Sequence, residues 1–403
     1  MKSKFNLKNT NSVYQIVTQN GRLYYIFPAI YLAIMLLSKG LVHPSGYYRL
    51  HYLFTYDHGL ISRGLVGEVM SWFFDTITDA TIQYVVLGCS ICMVIGAVLC
   101  FGKALNKVKD KPEQFIYSVA FILILLFMPT SFRLQFESIA LDKFIWTLTI
   151  FAVFLSGTRY GIWLVPVLCV ISSFINPIYV FGSMLLIALV LLQRFYSEGY
   201  TFKLGAVCFL SYAGIIAATL ISVASTNKTG FANTNEMLDF YYQRFVGEPL
   251  TLSERELFEK EWLFEYFVSV KEIFTRTFNY YFKEWGFGLT VFFYGIVIII
   301  PVSVLLGIIW INAIKATENK FQKFIYVLCF IAPLVVIPET ILGWEIPRYF
   351  GDSLIVQLSL ILFFIVNGNE GVIAAVHKVV DYLKNNIILS VMLLLHLALI
   401  IVF

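Results

Sequence analysis

The 403-residue chain is 59% hydrophobic and 17% aromatic, and only 13% of it is Asp, Glu, Lys or Arg. At that ratio polar side chains cannot cover the apolar surface of a water-soluble globular domain, so that class is excluded. The net charge of +4 is small, and its distribution along the chain carries more information than its size.

Taken in chain order, residues 1–20 are polar and precede an apolar run with no small-residue cleavage site, so the first span is expected to stay as an anchor. Apolar runs of membrane-spanning length then recur. We read eleven spans, at about 24–42, 81–102, 114–130, 141–157, 162–176, 177–193, 204–224, 288–311, 324–343, 353–367 and 386–403. The expected fold is therefore all-α, a polytopic transmembrane helical bundle forming one integral membrane domain over residues 1–403. A β-barrel would instead alternate in segments of about ten residues. The pair 162–176 and 177–193 meets at Asn176-Pro177 and can also be read as a re-entrant hairpin. All six cysteines fall inside apolar runs and read as small packing residues, including the Cys89-Ser-Ile-Cys92 pair.

Basic residues fix the sidedness. Sixteen lie at the N-terminus and after the even-numbered spans, among them Lys103, Lys107, Arg159, Arg194, Lys203, Lys315, Lys320 and Lys378. Six lie on the other side outside the long 225–287 segment: Lys39, Arg49, Arg63, Arg133, Lys143 and Arg348. Lys and Arg accumulate on the cytoplasmic face, so the N-terminus is expected inside and, with an odd count, the C-terminus outside.

The unusual polar residues then fall on the outer face. The first outer loop, Thr55-Tyr-Asp-His-Gly-Leu-Ile-Ser-Arg-Gly-Leu-Val-Gly-Glu68, holds Asp57, His58, Arg63 and Glu68, and a helix is expected over 60–76. The second outer loop holds Arg133, Glu137 and Asp142; the Asn176-Pro177 break faces outward; Trp344, Glu345, Arg348 and Asp352 surround a late turn. The one large outer loop, 225–287, contains Ser253 and Glu256 at capping-box spacing, and the helix that follows carries an aromatic face from Trp262 to Trp285. Each element has a structural reading beside the chemical one. Arg63 and Arg348 suit lipid-phosphate anchoring, Asp57 suits a helix N-cap, the glycines at 59, 64 and 67 suit a turn and close packing, and Glu345 with Arg348 suits an ion pair. Convergence of four loops on one interface favours the chemical one, because charge at a bilayer is costly to keep. No phosphate-binding glycine loop, dinucleotide fingerprint or zinc-protease motif is present.

This arrangement resembles the GT-C-type membrane glycosyltransferases. The likeness rests on an Asp in the first outer loop before a short interfacial helix, and on a polar-headed span from Arg133 to Trp146. It also rests on the Asn176-Pro177 break and on Arg348-Tyr349 opening a late span; it runs over about residues 50–370. It implies that Asp57 is the catalytic base and that Arg348 holds the lipid-phosphate donor. Asp57 is not part of an Asp-x-Asp pair, so no cofactor is expected and a divalent metal has no motif behind it. The chain is also similar to O-antigen and capsule polymerases, in which case Arg244, Arg255 and Arg276 are the loop candidates.

We therefore expect an inner-membrane enzyme of surface-polysaccharide assembly, with membrane lipids, a lipid-linked sugar donor and a glycan acceptor as partners and no nucleic acid. Asp57, Glu137 and Glu345 are the expected catalytic carboxylates. His58, Arg63, Arg133, Asn176, Trp344 and Arg348 are the expected substrate contacts, and no metal ligands are expected. The alternatives are a transporter or flippase of lipid-linked glycan, which needs polar groups deep in several spans, and a non-catalytic membrane scaffold.

Overall fold

The computed structural model describes residues 46–107, 141–177, 182–199, 201–225, 230–259, 288–335 and 346–399, with scattered positions between 263 and 279. The expected spans at 24–42 and 114–130 lie outside these residues, as do Arg133, Glu137, Trp344 and Glu345. Among the described residues the fold is all-helical, and its one β-feature is an isolated bridge between Ile77 and Phe245.

In chain order the helices are α1 (Gly46–Leu53), α2 (Leu65–Ser71), α3 (Asp79–Lys107), α4 (Asp142–Ser156), α5 (Val165–Ile175), α6 (Ser183–Glu198) and α7 (Phe202–Ser225). Then come α8 (Thr234–Tyr242), α9 (Leu252–Leu257), α10 (Gly288–Ala316), α11 (Lys320–Ile331), α12 (Ile346–Val366), α13 (Glu370–Asn385) and α14 (Ile387–Leu399). Among the described residues two stretches, Asp79–Cys100 of α3 and Phe202–Ser222 of α7, are long and apolar enough to cross a membrane. The pair α12–α13 would make a third, although it bends by 118°.

Local chemistry sets the helix ends. Pro166 sits in the first turn of α5, where its missing N–H costs nothing. Asn176 ends the helix in an extended conformation (φ −156°, ψ 122°), as a residue before proline prefers. Asn319 and Asn369 cap α11 and α13 by accepting backbone N–H groups. Two expectations need correction. The capping box forms two residues earlier than Ser253: Thr251 is the N-cap of α9 and Glu254 closes the box. The helix expected over 60–76 is cut to Leu65–Ser71, because Gly59 and Arg63 both take positive φ before it. The basic stretch after the tenth expected span is helix α13, whose valine face (Val372, Val376, Val379, Val380) is buried against α10.

Contacts separate two ends of the bundle. At one, Arg49 of α1 pairs with Asp79 at the start of α3 through two 2.9 Å bonds. There also the Asn176 amide at the end of α5 donates to Asp142 at the start of α4 at 3.5 Å. At the other, Lys203 at the start of α7 donates to the Arg159 carbonyl just past α4, and Lys378 of α13 meets Asn312 near the end of α10 at 3.1 Å. Between the ends Gln357 of α12 joins three helices, accepting from the Trp310 indole and donating to the Cys329 carbonyl at 2.6 Å. A buried polar group stays in an apolar core only when bonded in this way.

Candidate functional site

The segment 54–78 and the segment 230–250 fold onto each other at the end of the bundle where α3 and α4 begin. Their seam is partly the single parallel bridge between Ile77 and Phe245: the Ile77 N–H donates to Arg244 O at 2.7 Å and the Val246 N–H to Ile77 O at 2.8 Å. It is also aromatic. Phe54 is fully buried, with its ring 5.0 Å from that of Tyr241 and 5.6 Å from that of Tyr266, both in edge contact. The His58 ring lies 4.6 Å from Phe231 and 4.4 Å from Phe240, and the His58 carbonyl accepts the Gly230 N–H at 3.2 Å.

Two carboxylates sit in this seam with different duties. Glu68 is a strut. One oxygen accepts the Tyr56 backbone N–H at 2.8 Å and the other the Trp72 indole N–H at 3.1 Å. Asp57 is exposed, and its carboxylate accepts the Thr55 hydroxyl at 2.6 Å. It is not a helix cap, since Gly64 holds that position for α2 without a side-chain bond. Arg244, half-buried, donates to the carbonyls of Leu53 and Phe74, each at 3.3 Å. Burial lowers its pKa, while the charges of Asp57, Glu68 and Asp75 oppose that shift. Two of the five guanidinium N–H groups are thus committed to backbone, and among the described residues no other hydrogen-bond acceptor takes the rest, a set of donors that suits an anion.

Phenols complete the seam. Tyr241 donates to Thr55 O at 3.1 Å, and burial followed by the nearby Asp57 charge pushes its pKa up. Tyr242 donates to Gly46 O at 3.3 Å; burial raises it to about 12, against the pull of Arg49. Tyr56 is likewise pushed up to about 12, by burial and then by Glu68.

Of the residues expected from sequence, Asp57, His58 and Arg63 lie on the first segment of the seam. Arg63 is half-buried and takes φ 66°, a conformation costly for a residue with a Cβ. Asn176 belongs to a second, buried layer beneath the seam. It meets Asp142, which is 5% exposed, beside Lys143, which is 3% exposed. Tyr52 of α1 connects the layers: it packs on Phe144, and burial, with Cys89 and Asp142 nearby, raises its phenol pKa. Arg348 lies in the first turn of α12. Of the loop arginines, Arg244 reaches the seam, whereas Arg255 is paired with Asp239 at 2.8 Å. The clustering of Arg244 with Asp57 and the burial of Asp142 were not read from sequence. In the sequence Arg244 stands only as a loop candidate of the polymerase likeness, in the run Tyr241-Tyr242-Gln243-Arg244, and Asp142 only as one polar residue of the second outer loop.

Among the described residues no three His, Cys, Asp or Glu side chains converge as a metal site would require. No family model, no curated protein and no solved structure matches the chain.

Proposed function

We propose that this protein is a polytopic membrane glycosyltransferase or polymerase of surface-polysaccharide assembly. It works on the outer face of the inner membrane and moves a sugar or oligosaccharide from a polyprenyl-phosphate carrier to a glycan acceptor. The reading includes about eleven spans, a cytoplasmic N-terminus and an external C-terminus. The observation that carries it is the seam, where an exposed carboxylate and a half-buried guanidinium with spare donors come from distant segments.

Asp57 is the general base toward the acceptor hydroxyl, held by Thr55. Arg244, Arg63 and Arg348 hold the donor phosphate; a guanidinium suits that task because its planar fork matches phosphate oxygens. Arg133 joins them, Glu137 and Glu345 serve as second carboxylates, and Trp344 contacts the sugar. Asn176 supports the seam from below, and the rings of Phe231, Phe240 and Tyr241 pack against one another beside His58. Deletion of the gene followed by analysis of surface-glycan length and composition tests this directly. Loss of chain length alone identifies a polymerase, loss of one sugar identifies a transferase, and an unchanged glycan refutes both.

A further inference from the structure

Just before the membrane-crossing stretch of α3, the chain leaves three consecutive aromatic residues on its surface. Trp72 is 67% exposed, Phe73 74% and Phe74 38%. Single exposed apolar side chains are ordinary, but a contiguous patch of large rings marks a surface that meets a partner.

Local structure makes a lip of these rings. Helix α2 turns Val66, Gly67 and Met70 inward and packs on α1, which leaves its other side open. The Phe73 and Phe74 N–H groups both donate to the Met70 carbonyl, at 3.1 and 3.0 Å, so the helical turn runs on past Ser71. Val69, Trp72 and Phe73 then fall at i, i+3 and i+4 on the open side, and Val69 is exposed as well. Two ties from the seam hold the lip in place: Glu68 accepts the Trp72 indole N–H at 3.1 Å, and Arg244 donates to the Phe74 carbonyl at 3.3 Å. With its N–H bonded within the protein, the indole brings no unmet donor into an apolar medium.

Position identifies that medium. Asp79, where the membrane-crossing stretch begins, follows Phe74 by five residues, a reach of at most about 18 Å even for an extended chain. Ile77 between them is pinned by its bridge to Phe245, which keeps the lip beside the head of α3. Helix α3 itself exposes Tyr84, Ile91 and Ile95, so its outer side is apolar from the first turns. Asp75 directly follows the lip and is exposed, and Arg49 pairs with Asp79 beyond it, so charge limits insertion to the bilayer edge.

We propose that Trp72, Phe73 and Phe74 dock into the bilayer at the boundary of headgroups and acyl chains, on the side where α3 enters. A Trp beside apolar rings suits that boundary. A sugar would stack on one ring and leave the others in water, so it suits the patch less well. Because Glu68 also holds the Tyr56 N–H next to Asp57, a docked lip fixes the seam at the membrane surface. The proposal rests on α3 crossing a bilayer, as the proposed function has it, and not on sugar transfer.

The test reconstitutes the full chain in phosphatidylcholine vesicles whose acyl chains carry bromine, a fluorescence quencher, either near the headgroup or near the terminal methyl. The chain has seven tryptophans, so the Trp72 signal is the difference between the unaltered protein and Trp72→Phe. That signal should be lost most to shallow bromine, less to deep bromine and least to acrylamide in the water. Phe73→Trp adds an indole to the same lip and should add a signal with the same depth preference, which decides the matter should Trp72→Phe fail to fold. Strong quenching by acrylamide with none from bromine would overturn the proposal and leave the lip to a water-borne partner such as a glycan. Deep bromine outdoing shallow bromine would overturn the boundary placement. A chain that does not float with the vesicles contradicts the membrane reading itself, whereas a floating chain whose Trp72 ignores bromine contradicts the lip alone.

Discussion

Gly67 faces the backbone of Phe54 so closely that a Cβ there would meet the carbonyl oxygen at 2.3 Å and the amide nitrogen at 2.8 Å. Neither atom is the tip of a flexible side chain, so the seam must part. Gly67→Ala is expected to cost about 1–3 kcal/mol, the range for forced overpacking, seen as a lower Tm of the purified protein. Arg63 poses the opposite problem, since its backbone would suit glycine while the residue supplies a guanidinium. Left-handed backbone costs a residue with a Cβ about 1–2 kcal/mol, so Arg63→Gly should be the more stable of the pair Arg63→Gly and Arg63→Ala. Both should lose glycan product to the same extent if the side chain carries the role; retention in the glycine variant alone would assign Arg63 a backbone role. The sequence made Asp57, Arg63 and the nearby glycines conspicuous, because charge and glycine are rare in an apolar chain. It did not make Glu68 a strut or Asp142 a buried acid, since those roles arise from partners twelve and thirty-four positions away.

Elements hold one another through a few polar ties. Gln193 and Gln322 bond each other reciprocally and are both buried. Gln193→Leu should therefore destabilise by about 1–3 kcal/mol, because it strands a buried amide, whereas Gln193→Leu/Gln322→Leu should recover most of that loss. A double-mutant cycle on Tm or denaturant midpoint measures the difference, and strictly additive losses would contradict the pairing. The seam has a pH signature. Tyr56 and Tyr242 titrate at about 12 in the fold against an ordinary 10, so folding favours the neutral phenols. Their contribution is full below pH 10 and is lost as pH rises from 10 to 12. Tyrosinate absorbance should lag for these residues, and the seam should open across that window; a Tm that stays flat from pH 9 to 12 would count against it. Element type was legible wherever apolar runs were long, as in α3 and α7. Helix α13 was hidden because its valines recur every three or four residues among charges, and a hydropathy average erases that periodicity.

At the scale of the whole molecule, the arrangement that matters is which segments share an end. Alternating runs implied that loops 55–68 and 225–287 would emerge on one side, and side-chain bonds do bring 54–78 and 230–250 together. The register of that meeting was not legible, because a single β-bridge and a few phenol bonds set it, and neither leaves a periodic trace. The central claim is that Asp57 and Arg348 perform glycan transfer. It is tested most directly by replacing the chromosomal gene with Asp57→Asn and, separately, Arg348→Ala, and measuring surface glycan alongside the amount of protein in the membrane. The account predicts no glycan product from either variant at undiminished membrane levels; full product from both would contradict it.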